Sequence, residues 1–372
     1  MSATQTGALG VGLTVEQCWQ RVPGGSGTYI IELLRALGAR PDVAPLGLTA
    51  LHREAPAGEK PPVEMRSLGL PRGLLYRSWN TLGMPRPEWS VRGLEVVHAT
   101  TWAIPPTRQP LVVTVHDLAF QRDPSHFTPR GVRFFRRALE RVRAEAAVVV
   151  VPSQVTAADC VAAGIDARQI RVVPHGVRIA PAEPGALAAF RAEHGLSRPY
   201  VLWCGTHEPR KNLGGLLDAF TRVAAERDDL DLVLVGPAGW GDGGADRPRT
   251  ATSAERVHRL GHLSWADLQL AYAGADAFCF PSLWEGFGMP VLEAMAHGVP
   301  VVTSRDTSMA EVTGDAALLI DPRDPDELAT ALLRATGPDR GRLHAASLAR
   351  AAGFSWARAG ELTTAAYREA LA

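Results

Sequence analysis

The chain has 372 residues, 46% of them hydrophobic, and its 39 Lys+Arg balance 39 Asp+Glu. That length suits two domains, each with a core of its own. Zero net charge and scarce aromatics argue against a nucleic-acid binder, and the longest apolar run, at 146–151, is far shorter than a membrane span needs.

The charge is unevenly placed: residues 1–180 hold 21 Arg/Lys and 14 Asp/Glu, whereas residues 181–372 hold 18 and 25. Two halves with different ligands would give this pattern, with an anionic acceptor or a membrane surface drawn to the first. Scattered surface charge explains it equally well. Cys18, Cys160, Cys204 and Cys279 have neither disulfide nor metal-ligand spacing and read as reduced thiols. The opening MSATQTGALG has no signal-peptide pattern, so a cytoplasmic location is expected, with association at the inner membrane face as an option. Lys60 and Lys211 are the only lysines beside 37 arginines, which singles out Lys211 in the motif below.

Along the chain, buried strands and helices alternate. LGVGLTV (9–15) is a strand leading to the Gly-rich turn VPGGSGTY and a helix over 27–38. Residues 95–100 and 110–118 read as strands. Residues 130–146 read as a helix with Val132, Phe135, Leu139 and Val142 on one face, followed by strands at 147–153 and 170–177. Residues 178–198, rich in Pro and Ala, read as the linker. The rhythm restarts with a strand at 200–206, a helix at 212–226, a strand at 230–237, a Gly-rich loop over 236–249, and strands at 256–264, 276–282, 300–304 and 316–322. This is the βαβ pattern of doubly wound parallel sheets. The expectation is an α/β protein of two Rossmann-like domains with a cleft between them, bounded at 1–180 and 181–353, plus a closing helix over 354–372. Ligands of such sheets sit at the carboxyl ends of the strands.

The chemistry-bearing motifs fall at such ends. In EGFGMPVLE (285–293), Pro290 fits the first position of a helix. Gly286, Phe287, Gly288 and Met289 then sit at its N-terminus, where free N–H groups and the helix dipole favour an anion. Glu285 and Glu293 flank that turn. A glycosidase pair needs two facing carboxyls about 5–5.5 Å or about 6.5–9.5 Å apart, which two glutamates on either side of a helix start fit poorly. Recognition of hydroxyls suits them better, with a helix-cap role as the competing reading of Glu293. CGTHEPRKN (204–212) follows a strand and sets Arg210 and Lys211 side by side, able to offset a diphosphate leaving group without a metal. VTVHDLAF (113–120) ends a strand in His116 and Asp117, Asp117 reading as a loop-holding residue; His98 and His175 also follow strands and read as structural or acceptor-lining. The arginine-rich helix 130–146 meets a phosphorylated lipid or a bilayer on one reading and is a solvated face on the other.

These motifs, with the following AMAHGVPVV, resemble the retaining family-4 glycosyltransferases of the GT-B fold, over nearly the whole chain and most strongly at 200–215 and 276–305. The resemblance implies a nucleotide-sugar donor. Glu285 would contact the transferred hexose, the backbone of Phe287–Met289 the hexose or phosphate, and Glu293 the ribose. Arg210 and Lys211, with Gly205 and Thr206, would hold the diphosphate, and His262 and Leu263 would line the base. Gly24 and Gly25 would face the donor phosphate, and His116 would lie beside the reacting hexose. The acceptor is expected on the first domain, and the final helix is expected to return there. The apolar loop VEQCWQRVPGG after the first strand departs from the family pattern.

The expected activity is therefore transfer of a hexose with retention, without metal or cofactor. The acceptor would be a hydroxyl of a glycan, a lipid-linked glycan or a small molecule. EPRKN, VHDL and PSHFTPRGVRFFRRAL most resemble bacterial polysaccharide mannosyltransferases, which makes GDP-mannose the expected donor; UDP-glucose, UDP-N-acetylglucosamine and deoxysugar nucleotides stay open. Rivals are a sugar-nucleotide epimerase of the same fold and a non-enzymatic sugar-binding protein.

Overall fold

The computed structural model describes residues 7–56, 58–180, 183–237 and 254–372. The first six residues, residues 181–182 of the expected linker and most of the Gly-rich loop expected over 236–249 lie outside the described residues. The chain divides into two compact units, Met1–Gly176 with Ser355–Ala372, and Val177–Phe354.

The first unit carries a parallel sheet of strands β1 (Leu9–Thr14), β2 (Val43–Thr49), β3 (Met65–Ser67), β4 (Val96–Ala99), β5 (Leu111–Thr114), β6 (Val148–Val151) and β7 (Ile170–Val172). Its spatial order is β3-β2-β1-β4-β5-β6-β7. Runs such as VVVV in β6 are buried on both faces, as a sheet covered by helices on each side requires. The segment 43–93, which the alternation of the sequence left unassigned, holds β2, β3 and the helix Arg72–Thr81. The helix expected at 27–38 begins earlier, at Gly24, so Gly24 and Gly25 form its first turn rather than a loop before it. The arginine-rich helix runs Pro129–Glu145: the Thr128 side chain accepts from Gly131 N and Pro129 occupies the first position. Val132, Leu139 and Val142 are buried, while Phe135 is half-buried against Phe120 and Phe127.

The closing helix, Trp356–Ala370, packs closely on Gly24–Gly38, where a Cβ on Gly360 would lie 3.0 Å from the Ala36 Cβ. Its Tyr367 hydroxyl lies 2.7 Å from His98 Nδ1; His98 Nε2 meets Thr114 Oγ1 at 2.7 Å, and Tyr29 reaches the same oxygen at 2.8 Å. Burial pushes the His98 imidazole down to about 3, so it is neutral and shares its one proton within this network. His98 is thus a structural histidine.

The second unit repeats the plan with β8 (Tyr200–Cys204), β9 (Asp231–Val235), β10 (Val257–Gly261), β11 (Ala277–Phe280), β12 (Val301–Ser304) and β13 (Ala317–Ile320), in the parallel order β10-β9-β8-β11-β12-β13. The stretch read as a linker contains a helix, Ala186–Glu193, whose Phe190 enters the core. Alanine serves helix and linker alike, so composition misread it; Phe190 at the buried position was the discriminating signal. The four cysteines are all free.

The chain leaves the first unit after Gly176 and re-enters it at Ser355, and these two points touch: a Cβ on Gly176 would lie 2.1 Å from Trp356 N and 2.4 Å from Ser355 C. Backbone cannot swing aside as a side-chain tip can. Gly176→Ala is therefore expected to cost about 1–3 kcal/mol, read as a fall of several degrees in the thermal midpoint; an unchanged midpoint would show that the two segments can part without cost.

Candidate active site

In the second unit, strand order reverses direction between β8 and β11. Connections leave these neighbours on opposite sides, which opens a crevice at their carboxyl ends. The segments that follow them, 205–212 and 281–288, carry the two motifs.

After β8, Gly205 N donates to Val235 O at 2.9 Å and Gly236 N to Gly261 O at 2.7 Å, which locks three strand ends together. Gly236 has φ +136 and a Cβ there would meet Gly205 O at 1.9 Å, so only glycine permits this approach. Thr206 is half-buried beyond this lock. A single turn, Pro209–Lys211, then ends at Asn212 in the left-handed region (φ 52), whose side chain donates to Pro322 O at 2.6 Å. The turn is tied to the other segment by Leu283 N donating to Arg210 O at 2.7 Å.

That tie brings three charges together. Glu285 Oε1 accepts from Lys211 Nζ at 2.5 Å and from Arg210 Nη1 at 2.9 Å. Arg210 also donates to Glu208 Oε2 at 2.9 Å and Trp284 O at 3.3 Å. Ser308 Oγ fixes the Glu285 backbone by donating to its carbonyl at 2.7 Å. Lys211 and Glu285 are each only 8% exposed, so each needs the other's charge. Burial alone would raise the Glu285 carboxyl, but Arg210 and Lys211 overcome it and hold the group at about 2. Burial and then Arg210 lower Lys211, against the pull of Glu285. The Lys211 ammonium sits 4.7 Å from the Phe280 ring centroid. A compact ammonium fits this enclosed corner, where a guanidinium would bring five N–H groups to satisfy. This is a physical reason for a lysine in a chain that otherwise uses arginine.

Beyond Glu285 the backbone turns through Gly286, Phe287 and Gly288, all buried, into the helix Met289–Ala296. Gly288 caps that helix with φ 87, and a Cβ there would press on Met309 at 2.7 Å. Glu293 lies in the second turn, not the first, so it caps nothing. Its Oε2 accepts from the Tyr272 hydroxyl at 2.9 Å. Burial pushes its carboxyl up to about 7, with the Tyr272 bond opposing the rise. Tyr272, Ser308 and Glu208 thus complete the site. Tyr272 escaped sequence reading because LAYAGADAF gives it the pattern of a core helix, which it also is: it is fully buried and stacks on His297.

After β10, His262 is exposed, while Leu263 is half-buried against the core. Ser264 caps the next helix by accepting from Asp267 N at 3.1 Å, and the Arg178 guanidinium lies 4.0 Å above the Trp265 ring. In the first unit, His116 follows β5 and its Nε2 donates to Thr100 O at 3.0 Å, which leaves Nδ1 as an acceptor. Burial lowers its pKa, so the ring is neutral. It meets Tyr29 edge-on at 4.9 Å. Asp117 holds its loop by accepting from Ala119 N at 3.0 Å. Among the described residues there is no cluster of His, Cys, Asp and Glu arranged to hold a metal, and no helix is long and apolar enough to cross a membrane.

Residues 198–337 match the family described as glycosyl transferases group 1, and residues 23–181 match glycosyltransferase family 4. The chain is 30% identical over 368 residues to O-antigen chain mannosyltransferase B of Escherichia coli, covering 92% of this chain and 96% of that one. It is 31% identical over 295 residues to an MMP alpha-(1->4)-mannosyltransferase of Mycolicibacterium hassiacum, covering 71% of this chain and 66% of the relative. Among solved structures, HepE of Anabaena in complex with UDP and glucose superposes with a TM-score of 0.74 at 20% identity, over 96% of this chain and 98% of that one, and shares its fold. Two parallel-sheet units of this order, two adjoining family matches and a relative aligned almost end to end place the chain among the GT-B glycosyltransferases of group 1 and family 4.

Proposed function

We propose that this glycosyltransferase moves mannose from GDP-mannose to a hydroxyl of a glycan, keeping the anomeric configuration and using no metal. The observation that carries the reading is the buried Glu285–Lys211–Arg210 cluster beside the Gly286–Met289 turn. The mannosyl assignment is supported by the two related mannosyltransferases, and a polysaccharide acceptor by the O-antigen relative. A nucleoside diphosphate is supported by the UDP held in the HepE structure. A lipid-linked acceptor and contact with an inner membrane face belong to the same reading; Arg130, Arg133, Arg136 and Arg137, all exposed on Pro129–Glu145, suit such a surface.

In this mechanism the donor diphosphate lies against Arg210 and Lys211, with Gly205 and Thr206 at the strand end beneath. The bond from the anomeric carbon to the diphosphate oxygen breaks while the acceptor oxygen bonds to that carbon on the same face. The departing phosphate takes the acceptor's proton. The two cations stabilise the negative charge that grows on the leaving oxygen, and Glu285 keeps them fixed beforehand, so little reorganisation is needed during the reaction. Glu285 also reads the hexose hydroxyls, the 286–289 backbone the hexose or phosphate, and Glu293 the ribose diol. His262 and Leu263 line the base, Gly24 and Gly25 face the phosphate, and His116 stands by the reacting hexose.

The direct test incubates the protein with GDP-mannose, hexoside and glycan acceptors, and excess EDTA. An α-mannosyl product is expected. Product only after adding Mn²⁺ or Mg²⁺ overturns metal independence, a β-linked product overturns retention, and product from UDP-glucose alone overturns the donor.

If Lys211 stabilises the leaving group, Lys211→Ala should lower kcat by about 10²-fold or more, with a smaller change in the donor KM. Wild-type turnover by this variant would remove Lys211 from the mechanism.

The two glutamates should separate in calorimetry with the bare nucleoside diphosphate. Glu293→Ala loses a charged hydrogen-bond partner of the ribose, about 1.5–3 kcal/mol, whereas Glu285→Ala has no ribose contact to lose and acts through the hexose and the two cations it anchors, so its effect is read as a sharp loss of transfer. The diol donates to an ionised Glu293, so binding favours the deprotonated form. With the free carboxyl at about 7, affinity should be level above that pH and fall below it, and binding near neutrality should release protons. Its neighbours Tyr272 and Cys204 stay protonated there, both raised by burial, Cys204 to about 12. Equal affinities for wild type and Glu293→Ala would defeat the assignment.

A further inference from the structure

The apolar loop after β1 that departs from the family pattern carries a tryptophan held by its neighbours. Residues Glu16–Trp19 form a single turn at the carboxyl end of β1, and residues 50–54 follow the carboxyl end of the neighbouring β2. Trp19 is half-buried. A half-buried aromatic ring is ordinarily free to rotate, but this one is held at one edge and over one face. Its Nε1 donates to Glu54 O at 2.9 Å, and Arg72 donates to its carbonyl at 3.5 Å. Its ring stacks on His52 with centroids 4.5 Å apart and planes 8° from parallel.

His52 is fixed in turn. Its Nε2 donates to both carboxylate oxygens of Glu16, at 2.9 and 3.1 Å, and Glu16 Oε1 also accepts from Ala50 N at 2.5 Å. Glu16 is only 3% exposed. A buried carboxylate therefore serves to hold a half-buried imidazole, and the imidazole holds a half-buried indole. Val22 and Leu51, next to this pair in sequence, are 41% and 53% exposed, so the surroundings are open to solvent. Trp19, half-buried and held in this way, follows the carboxyl end of β1, one of the two strands (β1 and β4) between which the sheet order reverses and beside which such sheets take ligands. Its chemistry is that of a carbohydrate platform: the axial C–H bonds of a pyranose carry partial positive charge and lie favourably on the negative face of an indole. Fixing the ring beforehand removes the entropy cost of ordering it on binding.

We infer that Trp19, positioned by His52 and Glu16, is a stacking subsite for a hexopyranose ring of the acceptor glycan. The inference rests on the glycosyl-transfer reading for its substrate class, and it assigns the acceptor contact to residues of the first unit alone. Trp19 would touch the acceptor, whereas His52 and Glu16 act through it.

Kinetics at saturating donor test this with Trp19→Ala, Trp19→Phe and His52→Ala. Losing an aromatic anchor should raise the acceptor KM about tenfold in Trp19→Ala, and less in Trp19→Phe, which keeps a smaller plate. His52→Ala should fall between wild type and Trp19→Ala. The donor KM and affinity for the bare nucleoside diphosphate should stay within twofold of wild type in all three. An unchanged acceptor KM in Trp19→Ala overturns the inference, as does a parallel rise in donor KM. If a different donor sugar proves correct, the same comparison is made with that donor. Should no transfer be found, calorimetry with methyl hexopyranosides and their α-linked disaccharides replaces kinetics. Binding by wild type that is lost in Trp19→Ala and retained in part by Trp19→Phe supports the platform independently of catalysis; no binding by wild type overturns it.

Discussion

A carboxylate shared by two cations organises the candidate site of the second unit. Glu285 is almost fully buried, and no buried charge is tolerable without compensation. Lys211 and Arg210 supply that compensation from a different strand end. The turn Pro209–Lys211, the left-handed Asn212, the Leu283–Arg210 backbone tie and the Ser308 bond to the Glu285 carbonyl all serve to keep these three groups in register. Removing one partner would leave an unpaired charge in a poorly solvated place, so the cluster forms as a unit.

The sheet beneath makes the cluster possible. Strand order that runs outward from β8 on one side and from β11 on the other leaves their carboxyl ends free of a covering connection. Glycines at 205, 236 and 261 draw the ends of β8, β9 and β10 together, and Gly236 does so at a separation no side chain allows. The core contributes rigidity: its strands are buried on both faces and packed by helices. The polar groups that matter are therefore confined to the strand ends, where backbone and side-chain bonds fix them.

The first unit uses the same architecture with different side chains at its strand ends. Here imidazoles and aromatic rings stand where the second unit has its charge cluster. His98 is consumed by the Tyr367–Thr114 network that docks the closing helix. His116 is held by Thr100 O and Tyr29. His52 and Trp19 stack at the sheet's other side, anchored by Glu16.

Much of this was legible in the sequence, because periodicity and turn chemistry are local. The all-β-branched run VVVV at 148–151 reads as a strand buried on both faces, and alternation of such runs with helices points to parallel sheets. Arg210, Lys211, Glu285 and the 286–289 turn were identifiable because glycine, proline and a scarce lysine carry strong local meaning. Tertiary structure alone decided which side chains meet. Nothing in the spacing of residues 210, 211 and 285 says that one carboxylate binds both cations, that Tyr272 answers Glu293 from another helix, or that Glu16 reaches His52 across two strands. Such contacts depend on strand order and on the exact descent of each chain from its strand end. Those are settled by packing the whole sheet, which no local pattern records.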